Sequence, residues 1–265
     1  MNKGCTLTQN VSILKWSEEF NISASYNLLS GFPGEHPEDY REMEKIIPLL
    51  THLPEPKSAA RFRLERFSPY FEASDQFGLC NIRPLKVFAA IFPIEFNLLA
   101  DLALFFDFDY TSQFPPENYT QTWLAEVHKW KKPESVGTMI AANCGIYTFV
   151  LDRRFKKSDR ITVLKGLESE IYDFCDKAYS LRFIKNRFNV PKSTLCALLD
   201  KLVDSKMILR IGNFYLSLAI RVDRWLGPDV NTLNIPDVLS EIGDYLDQKM
   251  RVRRLETSRQ RFNTA

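Results

Sequence analysis

The stretch Asn27-Leu28-Leu29-Ser30-Gly31-Phe32-Pro33-Gly34-Glu35-His36-Pro37-Glu38-Asp39-Tyr40 decides the fold predicted for this chain. It indicates a strand at residues 24–29, then a glycine-containing turn, then a helix that begins near Pro37. Proline suits the first helical position because the N–H that it lacks has no partner there. A second strand is predicted at residues 61–67. Two strands joined by one helix predict a right-handed parallel crossover, and hence an α/β fold.

Composition bounds the class of protein. The 265 residues are 45% hydrophobic, enough for a sizeable core in one large or two small domains. The net charge of +2 creates no global field towards nucleic acid or membrane. The longest apolar runs, at residues 87–94 and 98–106, fall short of the ~20 residues that a membrane-spanning helix needs. The amino terminus has no apolar signal-peptide segment, so we expect a cytoplasmic protein without nucleic-acid or membrane partners.

The cysteines and histidines are few and widely separated. No Cys-x2-Cys pair occurs, which argues against a zinc site or a disulfide framework and predicts reduced, mostly buried thiols. The histidines show no spacing typical of a metal site. The residues concerned are Cys5, Cys80, Cys144, Cys175 and Cys196, with His36, His52 and His128.

A compact unit is predicted from about Gly166 onward. Helices are expected at residues 167–177, 180–188 and 193–205, and two strand-like runs flank Gly212-Asn213. Two turn residues between two such runs predict a hairpin. Three helices and a hairpin are the pattern of a winged helix.

Apolar spacing predicts further elements outside this unit. They are helices at residues 8–20, 97–106, 119–130 and 236–254, and strand-like structure at 138–155.

Asp107 and Asp109 are candidates for paired carboxylates in acid–base chemistry. On a strand they would share a face, whereas on a helix they would diverge. We interpret them as a helix-end or loop pair without a catalytic role.

Several motifs of this chain occur together in one enzyme family. They are Leu14-Lys15-Trp16, Asn27-Leu28-Leu29, Gly31-Phe32-Pro33-Gly34-Glu35, Tyr40, His52-Leu53, Arg66-Phe67-Ser68-Pro69-Tyr70-Phe71, Phe77-Gly78-Leu79 and Arg83-Pro84. With them the chain resembles the RiPP maturation radical SAM proteins, the cobalamin-binding radical S-adenosylmethionine enzymes that modify ribosomally made peptides. The resemblance extends to about Ile220. Its most specific motif begins at Arg66, since many radical SAM enzymes share the glycine turn.

The resemblance implies a fold and a place within it. Residues 1–75 would be the last two strands of a radical SAM TIM-like barrel, an α/β fragment. A mostly α region would follow, with a family-specific α-rich extension at 76–165, a winged-helix-like unit at 166–222, and a helix with a basic tail at 223–265. The chain would then begin just before the penultimate helix–strand unit of the barrel, as a truncated product or as one piece of a split enzyme.

The resemblance also implies the cofactors of the full-length family, which are S-adenosylmethionine, a [4Fe-4S] cluster and cobalamin. The family holds its cluster in a Cys-x3-Cys-x2-Cys loop, and this chain lacks that motif. An iron–sulfur cluster requires clustered thiolates. We therefore expect neither cofactors, metal ligands nor radical activity in this chain alone.

Eight residues are predicted by the resemblance to bind cofactor at the mouth of the barrel. Glycines there permit close backbone approach, and a helix N-terminus favours anionic groups. The alternative is structural, with a turn closed by Glu35, a core Tyr70, and an Arg66 that pairs with an acid because a charge on an apolar face needs a partner. The eight are Gly31, Phe32, Pro33, Gly34, Glu35, Arg66, Ser68 and Tyr70.

The winged-helix-like unit leaves three interpretations open. It could bind DNA at the start of its third helix, where Lys192-Ser193-Thr194 lie, although Asp200 and Asp204 on the same helix disfavour phosphate contact. It could bind a peptide by strand addition to a sheet edge. It could simply pack on the barrel.

Two hypotheses for function follow. The first is the C-terminal portion of a radical SAM peptide-modifying enzyme, with C-methylation as the implied reaction. The second is a non-catalytic peptide-binding module or a subunit of a split enzyme. The partner would be a precursor peptide or the missing N-terminal half.

Overall fold

The computed structural model describes residues 4–111, 116–155, 160–226 and 234–262. They form a mixed α/β structure with several small sheets, and the strands described do not close a barrel. In chain order the helices are α1 (Leu7–Glu19), α2 (Pro37–Ile46), α3 (Pro69–Glu72), α4 (Val87–Ile91), α5 (Phe96–Leu102), α6 (Glu117–Trp130), α7 (Leu167–Phe174), α8 (Leu181–Arg187), α9 (Lys192–Asp204), α10 (Asp223–Leu226) and α11 (Ile235–Phe262).

The strands are short. They are β1 (Asn27–Ser30), β2 (Ser58–Arg61), β3 (Leu64–Glu65), β4 (Leu79–Pro84), β5 (Phe105–Tyr110), β6 (Met139–Asn143), β7 (Tyr147–Asp152), β8 (Arg160–Lys165), β9 (Tyr179–Ser180), β10 (Ile208–Ile211), β11 (Phe214–Ser217) and β12 (Ile220–Arg221). Two compact units contain them. The first unit comprises Tyr26–Glu44 and Pro56–Ala125, and the second comprises Asn2–Ser25, Lys45–Glu55 and Glu126–Ala265.

A parallel strand pair joined through a helix is present in the first unit, as predicted, although only Arg61 of the second strand predicted at residues 61–67 belongs to it. β1 and β2 pair in parallel, with Leu29 opposite Ala60, and α2 lies between them in the chain. The second strand differs from the prediction, because β2 ends at Arg61. Phe62 still donates its N–H to Ser30 O, but Leu64 joins a different sheet, opposite Phe106 of β5.

A three-stranded antiparallel sheet, in the order β3-β5-β4, carries the core of the first unit. The helix predicted at residues 97–106 is wrong in its second half, because α5 ends at Leu102 and β5 begins at Phe105. Phe106 and Phe108 are both buried, which is the two-residue period of a strand. The core cluster consists of Phe32, Phe62, Leu64, Leu79, Ala103, Phe106 and Phe108.

The second unit is built on a four-stranded sheet in the order β12-β6-β7-β8. Strands β6, β7 and β8 are antiparallel neighbours, β12 runs parallel to β6, and α11 packs against β6 and β7. The strand-like structure expected at residues 138–155 is therefore confirmed as a hairpin of β6 and β7.

A smaller antiparallel sheet of the same unit has the order β10-β11-β9. The helices predicted around it are present as α7, α8 and α9, and the hairpin predicted at Gly212-Asn213 is present as β10 and β11. No helix in the described ranges has the length and apolar character to cross a membrane.

Candidate functional site

The Gly31–Glu35 turn is closed by its own carboxylate. Gly31 leaves β1 with a φ of +82°, a conformation in which L side chains are strained. Its N–H donates to Glu35 Oε2 at 2.7 Å, and the hydroxyl of Tyr40 on α2 donates to the same oxygen at 2.5 Å. Burial and this hydrogen bond raise the pKa of Tyr40 far above its usual value, so the phenol stays a donor. Glu35 thus ties the strand end to the helix.

The two glycines of the turn have different surroundings. A Cβ at Gly31 would lie 2.9 Å from the Tyr110 hydroxyl oxygen and 3.2 Å from Arg61 Cγ, and Tyr110 also donates a hydrogen bond to Gly31 O. Gly34 has the same φ of +82°, but a Cβ there would meet no atom within 4 Å. At Gly31, atoms of the protein itself therefore lie close to the backbone, whereas the space around Gly34 is open. The tyrosine was not predicted from the sequence, because its segment was not predicted as strand.

Phe32 and Tyr70 meet in the aromatic core. The Phe32 ring stacks on Phe62 with centroids 4.8 Å apart, and Tyr70 contacts the two rings at 5.9 and 5.5 Å. Tyr70 also lies 4.7 Å from the Phe77 ring. Phe32 is buried and Pro33 is half-buried. The structure thus brings together two predicted site residues that lie far apart in the chain.

Arg66 binds carbonyl groups at the end of α5. Its Nε donates to Ala103 O at 2.7 Å, and its guanidinium also donates to Ala100 O. The group lies 5.1 Å from the centre of the Phe106 ring. The negative end of a helix dipole is a favourable place for a cation. The partner of Arg66 is thus a helix end rather than the acid of the structural alternative.

Ser68 begins the short helix α3. Its Oγ accepts from Phe71 N at 3.2 Å and donates to Glu65 O at 2.7 Å. These are the contacts of an N-cap residue. The role of the eight predicted residues in cofactor binding stays a prediction.

Asp107 and Asp109 lie on β5, so the helix-end or loop placement is wrong. Both carboxylates bind Arg83 of β4 at 3.2 Å, and Asn81 donates to Asp109 at 3.0 Å. These bonds from Asn81 and Arg83 hold the pKa of Asp109 below its usual value. The two carboxylates thus form cross-strand ion pairs with Arg83, and Asp109 has no proton to give at neutral pH.

The cysteines do not fit the cluster that the resemblance implies. Within the described ranges, no three His, Cys, Asp or Glu side chains come together as metal ligands. Cys175 is buried, and burial raises the pKa of its thiol to about 12, so it is not a thiolate at neutral pH. The described residues therefore offer no set of neighbouring thiolates that fits a [4Fe-4S] cluster.

The second unit contains a buried ionic network that sequence reasoning missed. Lys15 Nζ, with a side chain that is 0% exposed, lies 2.5 Å from Asp176 Oδ1 and donates to Ser217 O at 3.1 Å. Arg224 pairs with Asp176 at 2.9 Å and also with Glu19. Burial alone would raise the pKa of Asp176, but Lys15 and Arg224 hold it below its usual value. The position of Lys15 within the apolar stripe of α1 was the available clue.

An open groove of about 520 Å³ lies beside β7 in the second unit. It offers apolar contact surface and one thiol, Cys144, whose pKa burial raises. The described lining contains no carboxylate or imidazole, so it carries no acid–base pair. The lining residues are Cys144, Ile146, Tyr147, Phe149, Asn234, Ile235 and Pro236.

Comparison with protein-family models, with curated proteins and with solved structures finds no match to this chain.

Proposed function

We propose that this chain is the C-terminal portion of a radical SAM enzyme that modifies ribosomally made peptides. Its barrel strands would be completed by another stretch of polypeptide that supplies the cluster loop and the cobalamin domain. The resemblance of the motifs suggests the family. The structural observation that carries the proposal is the isolated parallel pair of β1 and β2, joined through the glycine turn and α2.

One face of this parallel pair lacks the cover that parallel sheets normally have. Such sheets are buried on both faces in nearly all α/β proteins. Here Leu29 is 44% exposed, and its cross-strand neighbour Ala60 is exposed on the same face. Among the strands described, β1 and β2 have only each other as neighbours. Their outer edges present backbone donors and acceptors that can pair with further strands.

The test is coexpression with a polypeptide that carries a cobalamin domain and a Cys-x3-Cys-x2-Cys loop. We expect the two chains to copurify and the complex, after cluster reconstitution, to cleave S-adenosylmethionine. Leu29→Glu should reduce copurification, because it places a charge on the face that the partner covers. Leu98→Glu is the matched control, since Leu98 is 55% exposed on α5 of the same unit.

Cluster-dependent cleavage of S-adenosylmethionine by this chain alone would overturn the proposal. So would a failure of every such polypeptide to bind it.

The second candidate is a non-catalytic peptide-binding module. It is favoured by the order of the small sheet, β10-β11-β9, beside α7, α8 and α9. This arrangement supports a winged-helix-like interpretation in which an edge strand accepts a peptide. Amide exchange at Ile208–Ile211, measured with and without a precursor peptide, tests it. Protection of these amides supports peptide addition at β10, and unchanged exchange contradicts it.

A further inference from the structure

One segment of the second unit carries only positive charge, since Asp176, which directly precedes it, already pairs with Lys15 and Arg224. Residues 177–199 contain no aspartate or glutamate. Five lysine and arginine residues lie in this segment and all five are exposed. They are Lys177, Arg182, Lys185, Arg187 and Lys192, and we call them the α8 basic patch.

The cations of the α8 basic patch differ from Lys15, Arg221 and Arg224 of the same unit, which pair with carboxylates. In the part of the chain that the structure describes, none of the five forms an ion pair. The nearest acid that follows in sequence, Asp200, lies 3.7 Å from Arg210 instead. Exposed charges without an ion pair contribute little to stability, so the fold does not explain the patch.

An aromatic stack ends in the same patch. The rings of Phe174 and Tyr179 are 4.5 Å apart with an interplanar angle of 19°, and those of Tyr179 and Phe183 are 4.8 Å apart at 13°. Phe183 is 52% exposed, and it lies on α8 between Arg182 and Ile184. Aromatic side chains and arginine are enriched at protein interfaces, so a ring stack that ends in an exposed phenylalanine beside Arg182 favours a binding surface.

The extent of the positive surface limits its ligand. Asp200 and Asp204 are exposed on the later turns of α9. A long polyanion that follows the patch along α9 would reach these carboxylates and be repelled. A short ligand would contact only α8 and the first turns of α9, where the positive end of the helix dipole adds to the attraction.

We propose that the α8 basic patch docks a short acidic peptide segment that carries an aromatic side chain. The carboxylates would pair with the five cations, and the aromatic side chain would extend the ring stack at Phe183. This inference rests on the proposed function, in which a precursor peptide is the substrate. It places the recognition of that peptide on α8, away from the edge of β10.

The test is direct binding to the chain as it exists, by fluorescence anisotropy at low salt. The probe is a labelled oligomer of aspartate and glutamate with one central phenylalanine. The comparison probes are the same oligomer with serine at every acidic position and a single-stranded oligothymidine of equal charge. We expect the acidic peptide to bind more tightly than either, with an affinity that falls as salt rises.

Substitutions then locate the binding surface. Lys185→Glu with Arg187→Glu should weaken binding by about tenfold or more, because charges across an interface are reversed. Phe183→Ala should weaken it by about three- to tenfold, the usual size of an aromatic contact. Lys129→Glu is the control, since Lys129 is exposed on α6 and pairs with Glu126. Circular dichroism of each variant separates lost binding from lost folding.

Equal binding by the charge-reversed variant would overturn the proposal, as would tighter binding of oligothymidine than of the acidic peptide. Neither result depends on a cluster or on the complementing polypeptide. Failure here therefore leaves the copurification test of the proposed function untouched.

Discussion

Two groups of cations in the second unit have opposite surroundings. Lys15, Arg221 and Arg254 are buried, and each is held by carboxylates or carbonyl groups, such as Asp176 beside Lys15 and Asp173 beside Arg221. The cations of the α8 basic patch are exposed and form no ion pair within the described ranges. Lysine and arginine residues therefore stabilise the fold in the first group, whereas those of the α8 basic patch are available to bind a ligand.

We expect the largest loss of stability from a substitution that removes the buried cation Lys15. Lys15→Met should lower the free energy of unfolding by about 3–5 kcal/mol, because it leaves the half-buried carboxylate of Asp176 with Arg224 as its single remaining cation. Urea denaturation measures the change.

The double variant Lys15→Met with Asp176→Leu sharpens this comparison. It should recover part of the loss, because the carboxylate that Lys15 neutralises is then removed as well. A loss below 1 kcal/mol for Lys15→Met alone would show that the network does not serve the fold.

The two glycines of the Gly31–Glu35 turn in the first unit show a similar contrast, because Gly31 is closely packed and Gly34 is not. Gly31→Ala should cost about 2–4 kcal/mol, since a positive φ is strained and the new Cβ would crowd Tyr110. Gly34→Ala should cost only about 1–2 kcal/mol, since only the positive φ opposes it. Equal losses in thermal unfolding would contradict the packing described at Gly31.

His52 adds to this comparison a titratable group that is buried in its neutral form. It is fully buried, its Nε2 lies 2.8 Å from Leu218 O, and burial together with Arg154 lowers its pKa to about 3. Between that value and about 6.5 the unfolded chain binds a proton that the folded chain does not. Stability from this group is therefore complete above pH 6.5 and is lost as the pH falls.

The measurement for His52 is urea denaturation at pH 7 and at pH 5. The wild-type protein should lose about 2 kcal/mol more than His52→Gln over this interval. Glutamine is chosen because its amide can still donate to Leu218 O. An identical pH dependence in both proteins would show that folding does not lower the pKa of His52.

The smallest effect on stability is expected in the α8 basic patch. Arg182→Ser and Lys185→Ser should each change the free energy of unfolding by less than about 0.5 kcal/mol, as exposed unpaired charges do. A loss above 1 kcal/mol in urea denaturation would reveal a structural role and weaken the assignment to binding.

The sequence predictions were accurate where the interactions are local in the chain and inaccurate where they join distant residues. Helices α6, α7 and α9 and the hairpin at Gly212-Asn213 were predicted because apolar spacing and turn residues are local signals. The strand β5 was misassigned as helix because a short apolar run fits both structures, and only its pairing with β3 and β4 decides.

Predictions for the candidate site were limited in the same way, to contacts between residues that are close in the chain. The closure of the turn by Glu35 was foreseen as an alternative, because the two groups lie four residues apart in the chain. The contact of Gly31 with Tyr110 and the binding of Arg66 to the end of α5 were not foreseen. Each depends on a partner more than thirty residues away, which no local pattern reveals.

The central claim, that another polypeptide completes the sheet begun by β1 and β2, is tested most directly by hydrogen exchange. The amides of Asn27–Ser30 and Ser58–Arg61 are followed in the chain alone and in the presence of the polypeptide that carries the cluster loop. We predict that exchange at an outer edge of this pair slows by about tenfold or more in the complex, because newly paired amides are protected. Unchanged exchange at both edges in a complex that still forms would contradict the claim.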